Sequence, residues 1–219
     1  MICRFSEVAK AYLAQFHQIL EQMIHQMNAA ETTDGISGEF IAQMIPRHRA
    51  AIRMSENLLR YTTSVPLQDI ASGIVATQTQ GVADLEAAAA QCGRQPSAQR
   101  DLELYRRRFR RIADQMFCEM GNACETNSME ADLIREMIPH HMGAVRMSEN
   151  ALHYTLCPEL EPILKAILSS QSRGIREMQR LLRGISRRAG PHGGNAAIGP
   201  SRKGGGAAGA VRSAGCRCL

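Results

Sequence analysis

Tryptophan is absent from this 219-residue chain and only 4% of its residues are aromatic. With β-branched residues also sparse, a sheet lacks its usual side chains, and the abundant alanine, leucine, arginine, glutamine and methionine favour helix. No stretch approaches 18 uncharged apolar residues, which excludes a helical membrane span. The first residues, Met1-Ile-Cys-Arg-Phe-Ser-Glu, lack the apolar segment of a secretory signal, so a cytoplasmic protein is expected. There is no phosphate loop, no Gly-x-Ser-x-Gly elbow and no Cys-x-x-Cys, which removes the commonest nucleotide, hydrolase and dithiol chemistries. Acidic residues are missing from residues 185–219, which hold six of the 26 basic residues and nine of the 18 glycines. That segment accounts for the basic balance and is expected to be a disordered tail. The remainder carries 20 basic against 21 acidic residues, which gives no electrostatic case for binding nucleic acid.

What is present is a repeat. Residues 41–62 read IAQMIPRHRAAIRMSENLLRYT and residues 134–155 read IREMIPHHMGAVRMSENALHYT, identical at 14 of 22 positions at a shift of 93. Tyr12 with Tyr105, Phe16 with Phe109, Gln78 with Gln171 and Gly81 with Gly174 keep the same register. The expected fold is all-α, an antiparallel bundle over residues 1–184 built from two three-helix repeats, about 5–92 and about 98–184. The first helices are expected over Phe5 to Asn28 and Ala98 to Gly121. The second helices, with Ser37 and Ser128 as caps, run to Tyr61 and Tyr154. The third open at Val65-Pro66 and Cys157-Pro158 and end near Gln91 and Arg183. The duplication suggests that the second helices face one another about a pseudo-twofold axis.

Apolar spacing on the second helices turns His48 and His141 inward, with His140 about 100° away on the flank and Arg47 at its equivalent position. Met137 is an i,i+4 neighbour of His141 and an i,i+3 neighbour of His140, which places a thioether and an imidazole on one surface. That donor pair suits copper, Cu(I) above all, while imidazole alone also accepts zinc or iron. Pro46 and Pro139 free the carbonyls of Ala42 and Arg135 in the interior of each helix, a costly feature that suggests a kink shaping a site. The competing reading makes the methionines core filler and His48 and His141 hydrogen-bonded core residues of a scaffold or interaction module.

The string Met137-Ile138-Pro139-His140-His141-Met142-Gly143-Ala144-Val145-Arg146-Met147, followed by Gln171 and Glu177-Met178, resembles the family called domain of unknown function 305. The resemblance implies a ferritin-like helical bundle, a setting often outside the cytoplasm and, for some members, copper binding and metal tolerance. The ligands it implies are His140 and His141, with Met137 and Met147 as partners, and His48 and Met44 in the first copy, where Arg47 replaces one histidine. The expected function is therefore non-enzymatic metal binding, copper favoured, in storage or tolerance, with a homo-oligomer left open. A ferritin-like fold also raises a di-iron oxidase, but no Glu-x-x-His occurs, and Glu136 four residues before His140 fits a solvated surface pair.

The remaining candidates have plain expectations. The seven cysteines are odd in number and scattered, so reduced thiols are expected, and Cys216-Arg-Cys218 offers a soft-metal pair or two exposed thiols. The run Arg106, Arg107, Arg108, Arg110 and Arg111 occurs in one copy and wraps around its helix, as a solvated face does. Arg53 with Glu56 and Arg146 with Glu149 are expected as surface ion pairs.

Overall fold

The computed structural model describes residues 5–188. Among them are six α-helices and no strand: α1 (Glu7–Asn28), α2 (Ile36–Leu59), α3 (Val65–Cys92), α4 (Gln99–Gly121), α5 (Met129–Ala151) and α6 (Leu160–Arg188). The all-α expectation holds, and helix bounds fall within a few residues of those read from spacing. No helix is long and apolar enough to cross a membrane. The tail was expected to begin at residue 185, but α6 continues to Arg188. Residues 189–219, with Cys216 and Cys218, lie outside the described residues.

Each helix forms for local reasons. Ser6 Oγ accepts from Ala9 N at 3.1 Å to cap α1, and Ser128 Oγ accepts from Ala131 N at 3.3 Å to cap α5. Pro66 sits in the first turn of α3, where its missing N–H leaves no bond unmade. Ser37 does not cap α2. Gly35 holds that position, and Ser37 Oγ instead accepts from the Cys157 backbone N–H at 3.0 Å, tying α2 to the α5–α6 connection.

Within each three-helix set the second helix packs against the other two, and the sets meet through α2 with α5 and α3 with α6. One continuous core results, with Tyr12, Phe16, Met23 and Met27 of α1 matched by Tyr105, Phe109, Met116 and Met120 of α4. Polar contacts recur at the same shift of 93. Asn57 Nδ2 donates to Tyr12 O at 3.1 Å and Asn150 Nδ2 to Tyr105 O at 3.2 Å. Tyr12 meets Tyr61 edge to face at 6.3 Å, and Tyr105 meets Tyr154 in the same way at 6.1 Å.

Three expectations fail on contacts between different helices or their ends. Cys92, at the end of α3, and Cys157, before α6, form a disulfide with Cα atoms 5.4 Å apart, so these two are not reduced thiols. Their counterparts at the shift of 93 are Ile185 and Ser64, so the cross-link is not part of the repeat. Arg53 donates to Gln22 and Arg146 lies 3.9 Å from Glu119, so neither forms the intrahelical pair that spacing suggests. Arg106 turns inward onto Glu39 at 2.6 Å and donates to Thr33 O, while Arg107, Arg108, Arg110 and Arg111 are exposed as a solvated face.

A bridge spanning 65 residues of sequence removes loop entropy from the unfolded chain. Reduction is expected to lower stability by about 2–4 kcal/mol, read as a fall in denaturation midpoint. An unchanged midpoint after verified reduction would show that packing alone holds this junction.

Candidate metal centre

The helices α2 and α5 meet at the centre of the molecule, and Arg47 and His140, which face each other there, occupy equivalent positions at the shift of 93. Arg47 and His140 are both fully buried. Arg47 Nη2 lies 3.1 Å from His140 Nδ1 and also donates to the His140 backbone carbonyl. Arg47 Nη1 points at Met44 Sδ at 3.9 Å. The flank that carries His140 is thus the interface between the two second helices, where His140 meets its own counterpart, Arg47. Glu136 is buried as well, at 2% exposure, and does not form the solvated pair with His140 that its spacing suggests.

Hydrogen bonding sets the two adjacent imidazoles in opposite states. Because guanidinium only donates, His140 Nδ1 must accept, and a neutral His140 carries its proton on Nε2, which is buried without a partner. His141 Nδ1 lies 3.1 Å from the Met137 carbonyl, which only accepts. Its proton therefore sits on Nδ1 and its Nε2 lone pair is free, the tautomer in which histidines commonly bind metal. The two ring centroids are 5.9 Å apart.

His48 and His141 share an environment. A Cβ added at Gly81 would stand 3.1 Å from His48 Nε2, and one added at Gly174 would stand 3.4 Å from His141 Nε2. Each ring edge therefore rests on a glycine of the third helix of its own copy, where a side chain would crowd it. His48 lines a cavity of about 340 Å³ with Asp84, Thr77, Ser170 and Gln171. His141 lines one of about 200 Å³ with Glu177, Ser170 and Gln171. Asp84 and Glu177 are counterparts at the shift of 93, and Gln171 lines both cavities with a buried Oε1 that lacks a partner. Its counterpart Gln78 has the same orphaned oxygen.

Burial dominates the electrostatics. It drives His48 and His140 well below the usual imidazole range, with the Arg47 charge adding to it. His141 is pushed down to about 3 by burial and then by Arg47. All three are therefore neutral near pH 7. Arg47 itself is lowered to about 9 by burial. Glu136 is pushed up to about 9 by burial, then by Asp132 and Glu125. Leu13 of the first copy stands at the position equivalent to Arg106, so Asp132, the counterpart of Glu39, receives no such cation from α1 and pairs with Arg135 at 3.3 Å instead.

The structure brings together only part of the ligand set read from sequence. His48, His140 and His141 do not form a triad: among the described residues, the His, Cys, Asp or Glu ligand atoms that gather within 4.8 Å of one another are those of Cys92, Cys157 and Glu159. Met44, Met137 and Met147 are fully buried, but the Met44 sulfur faces Arg47, and no described polar contact joins Met147 to an imidazole. Gln78, Gln171, Gly81 and Gly174 lie outside the ligand set that sequence suggests, and their recurrence at the shift of 93 is the signal that marks them.

Two sets of three helices, joined through a central helix pair with neutral imidazoles buried at its middle, define the class of protein. The chain belongs to the family described as Domain of unknown function (DUF305), which it matches over residues 16–89 and 39–182. No curated protein matches it. Among solved structures it is similar to a DUF305 fragment from Deinococcus radiodurans, at 21% identity and TM-score 0.52, over 70% of this chain and 99% of that one. It is also similar to CopM in its Cu(II)-bound form, at 23% identity and TM-score 0.50, over 68% of this chain and 97% of that one. These likenesses show a shared helical fold.

Proposed function

We propose that the chain is a non-enzymatic metal-binding protein that takes up copper as Cu(I), with His141 Nε2 and His48 Nε2 as the principal donors. The carrying observation is the His141 tautomer: its Nδ1 is held by the Met137 carbonyl, and its free Nε2 lies against Gly174 at the edge of a cavity. A neutral imidazole needs no proton removed before it binds. The absence of a preformed histidine triad suits a soft ion content with few donors, and the buried Arg47 charge penalises a divalent ion more than a monovalent one. Gln171 supplies an unpaired oxygen in the cavities of both histidines, and Met137 and Met44, four residues before His141 and His48, are the thioether candidates. His140, clamped by Arg47, positions α2 against α5 in this reading. Copper-bound CopM shares the fold, which is compatible with metal storage or tolerance here.

The Cys92–Cys157 cross-link is the form expected in an oxidising compartment; in the cytoplasm expected from sequence, the pair would stand as thiols. A scaffold without metal is the second reading, favoured by the Arg47–His140 clamp. The two readings separate in one experiment. Cu(I), kept reduced by ascorbate, is titrated into the chain with Cys216 and Cys218 changed to serine, against a chromophoric Cu(I) chelator. His141→Ala and His48→Ala should each weaken binding by about tenfold or more. If both bind as the parent does and lose only about 1–3 kcal/mol of stability, the histidines are architectural.

A further inference from the structure

The cysteine pair that joins the repeats has a third member that a disulfide does not explain. Glu159 Oε2 lies 2.8 Å from Cys157 Sγ and 3.9 Å from Cys92 Sγ. A disulfide has no proton to donate, so a carboxylate oxygen set against it gains no hydrogen bond from either sulfur. The start of α6 accounts for an acidic residue at this point of the chain, since anions are favoured at helix N-termini, but not for its direction onto the sulfurs. Two sulfurs and one carboxylate oxygen gathered within 4.8 Å form a donor set of the kind zinc takes. The sulfurs are buried, whereas Glu159 is exposed and lines a cavity of about 250 Å³ with Asp84, Gln91 and Ile163. An ion can therefore arrive from solvent along an acidic edge. Neither cysteine has a cysteine counterpart in the other repeat, so the feature is not part of the duplication that built the histidine centre, although Asp84 lines both its cavity and that of His48.

We propose that Cys92, Cys157 and Glu159 form a second, redox-gated metal site that holds one zinc-class ion when the disulfide is reduced. The opening step is a two-electron reduction by a dithiol. The Cys92–Cys157 bond breaks, each sulfur takes a proton, and the reductant closes into its own disulfide. Zinc then binds two thiolates and the Glu159 carboxylate with release of two protons, and water from the cavity side fills the fourth position. Two sulfurs on one tetrahedral zinc at about 2.3 Å each stand about 3.8 Å apart, so side-chain rotation at the two cysteines is needed to open the bond into a site. The junction between repeats is then cross-linked in both states, by a covalent bond when oxidised and by the ion when reduced.

The test uses the full chain, oxidised or reduced with a phosphine that does not itself compete as a thiol. Zinc is counted by equilibrium dialysis, and Co(II) is added in parallel to read sulfur-to-metal charge transfer. Reduction should add zinc and a charge-transfer band that Cys92→Ser and Cys157→Ser each remove. Glu159→Gln should weaken this added binding by about tenfold, and Cys216→Ser with Cys218→Ser should leave it in place. His141→Ala, which tests the histidine centre, should not change it. Far-ultraviolet circular dichroism checks that each variant remains helical, and Glu159→Gln, at an exposed position, keeps the test open if a serine variant unfolds. The proposal is overturned if reduction adds no zinc, if the added zinc disappears with Cys216 and Cys218, or if Glu159→Gln binds as tightly as the parent.

Discussion

Acidification from pH 6.5 to pH 4.5 should remove about 5 kcal/mol of folding stability, a change comparable to the whole stability of many domains. His48, His140 and His141 are driven down by burial, the last to about 3, while the unfolded chain titrates them near 6.5. A depressed imidazole contributes its full stability above the unfolded value and loses it as pH falls toward the folded one. Each group costs about 1.4 kcal/mol per pH unit in that window, so three cost about 4. Glu136 works the other way. Raised to about 9, it holds a proton in the folded state that the unfolded state lacks above its ordinary value near 4.5, so its contribution grows as pH falls to that point. Subtracting one group from three leaves about 2.7 kcal/mol per pH unit. Asp132, also raised by burial, begins to offset the loss at the acid end. Urea denaturation midpoints at half-unit pH steps would measure the slope. His141→Gln should reduce it by about one group, and a slope flat down to pH 5 would contradict the burial of these rings as neutral imidazoles.

Arg47→Ala is expected to cost about 3–5 kcal/mol, whereas Arg47→Met should be much milder, and near the parent if the side chain packs well. Truncation to alanine opens a cavity between α2 and α5 and leaves the His140 carbonyl and Nδ1 without their donor. Methionine keeps most of the volume and takes a positive charge out of a site whose described side-chain contacts are neutral. The charge itself is costly there: burial lowers the guanidinium to about 9. Since the unfolded chain keeps the proton to far higher pH, this penalty is complete at pH 7 and eases only as pH rises through 9. Equilibrium unfolding of the two variants separates the terms. An alanine variant within about 1 kcal/mol of the parent would mean that the interface does not depend on this clamp. Removal of the charge should also tighten Cu(I) binding in the methionine variant, because a neighbouring cation no longer opposes the ion.

The parts of the candidate site that were legible in sequence are those set by spacing along one helix. The i,i+4 relation of Met137 and His141 appears in the structure as the bond between the Met137 carbonyl and His141 Nδ1. The inward face of His48 and His141 followed from the apolar stripe, and Ser128 caps α5 as its composition suggests. The parts that were not legible lie across elements. Arg47 looked like a lost ligand of the first copy, yet it is the partner of His140. Ser37 has the composition of a cap, yet its hydroxyl serves the backbone of Cys157, 120 residues away. Cys92 and Cys157 showed no spacing that pairs them, because α3 and α6 meet only in the assembled bundle.

The chain's own sequence determined the helical class, the repeat at a shift of 93, most helix limits and the apolar faces that point inward, but not the burial of Arg47, Glu136 and His140. These depend on backbone propensity, capping and a period of 3.6 residues, interactions that reach about four positions along the chain. Only the tertiary structure decided which inward residues meet. Packing α2 against α5 placed Arg47 on His140, packing the third helices over them laid Gly81 and Gly174 on the imidazoles, and burial then set every charge in the centre. Those outcomes depend on helix position and desolvation, which arise between elements and have no counterpart in the spacing of any one of them.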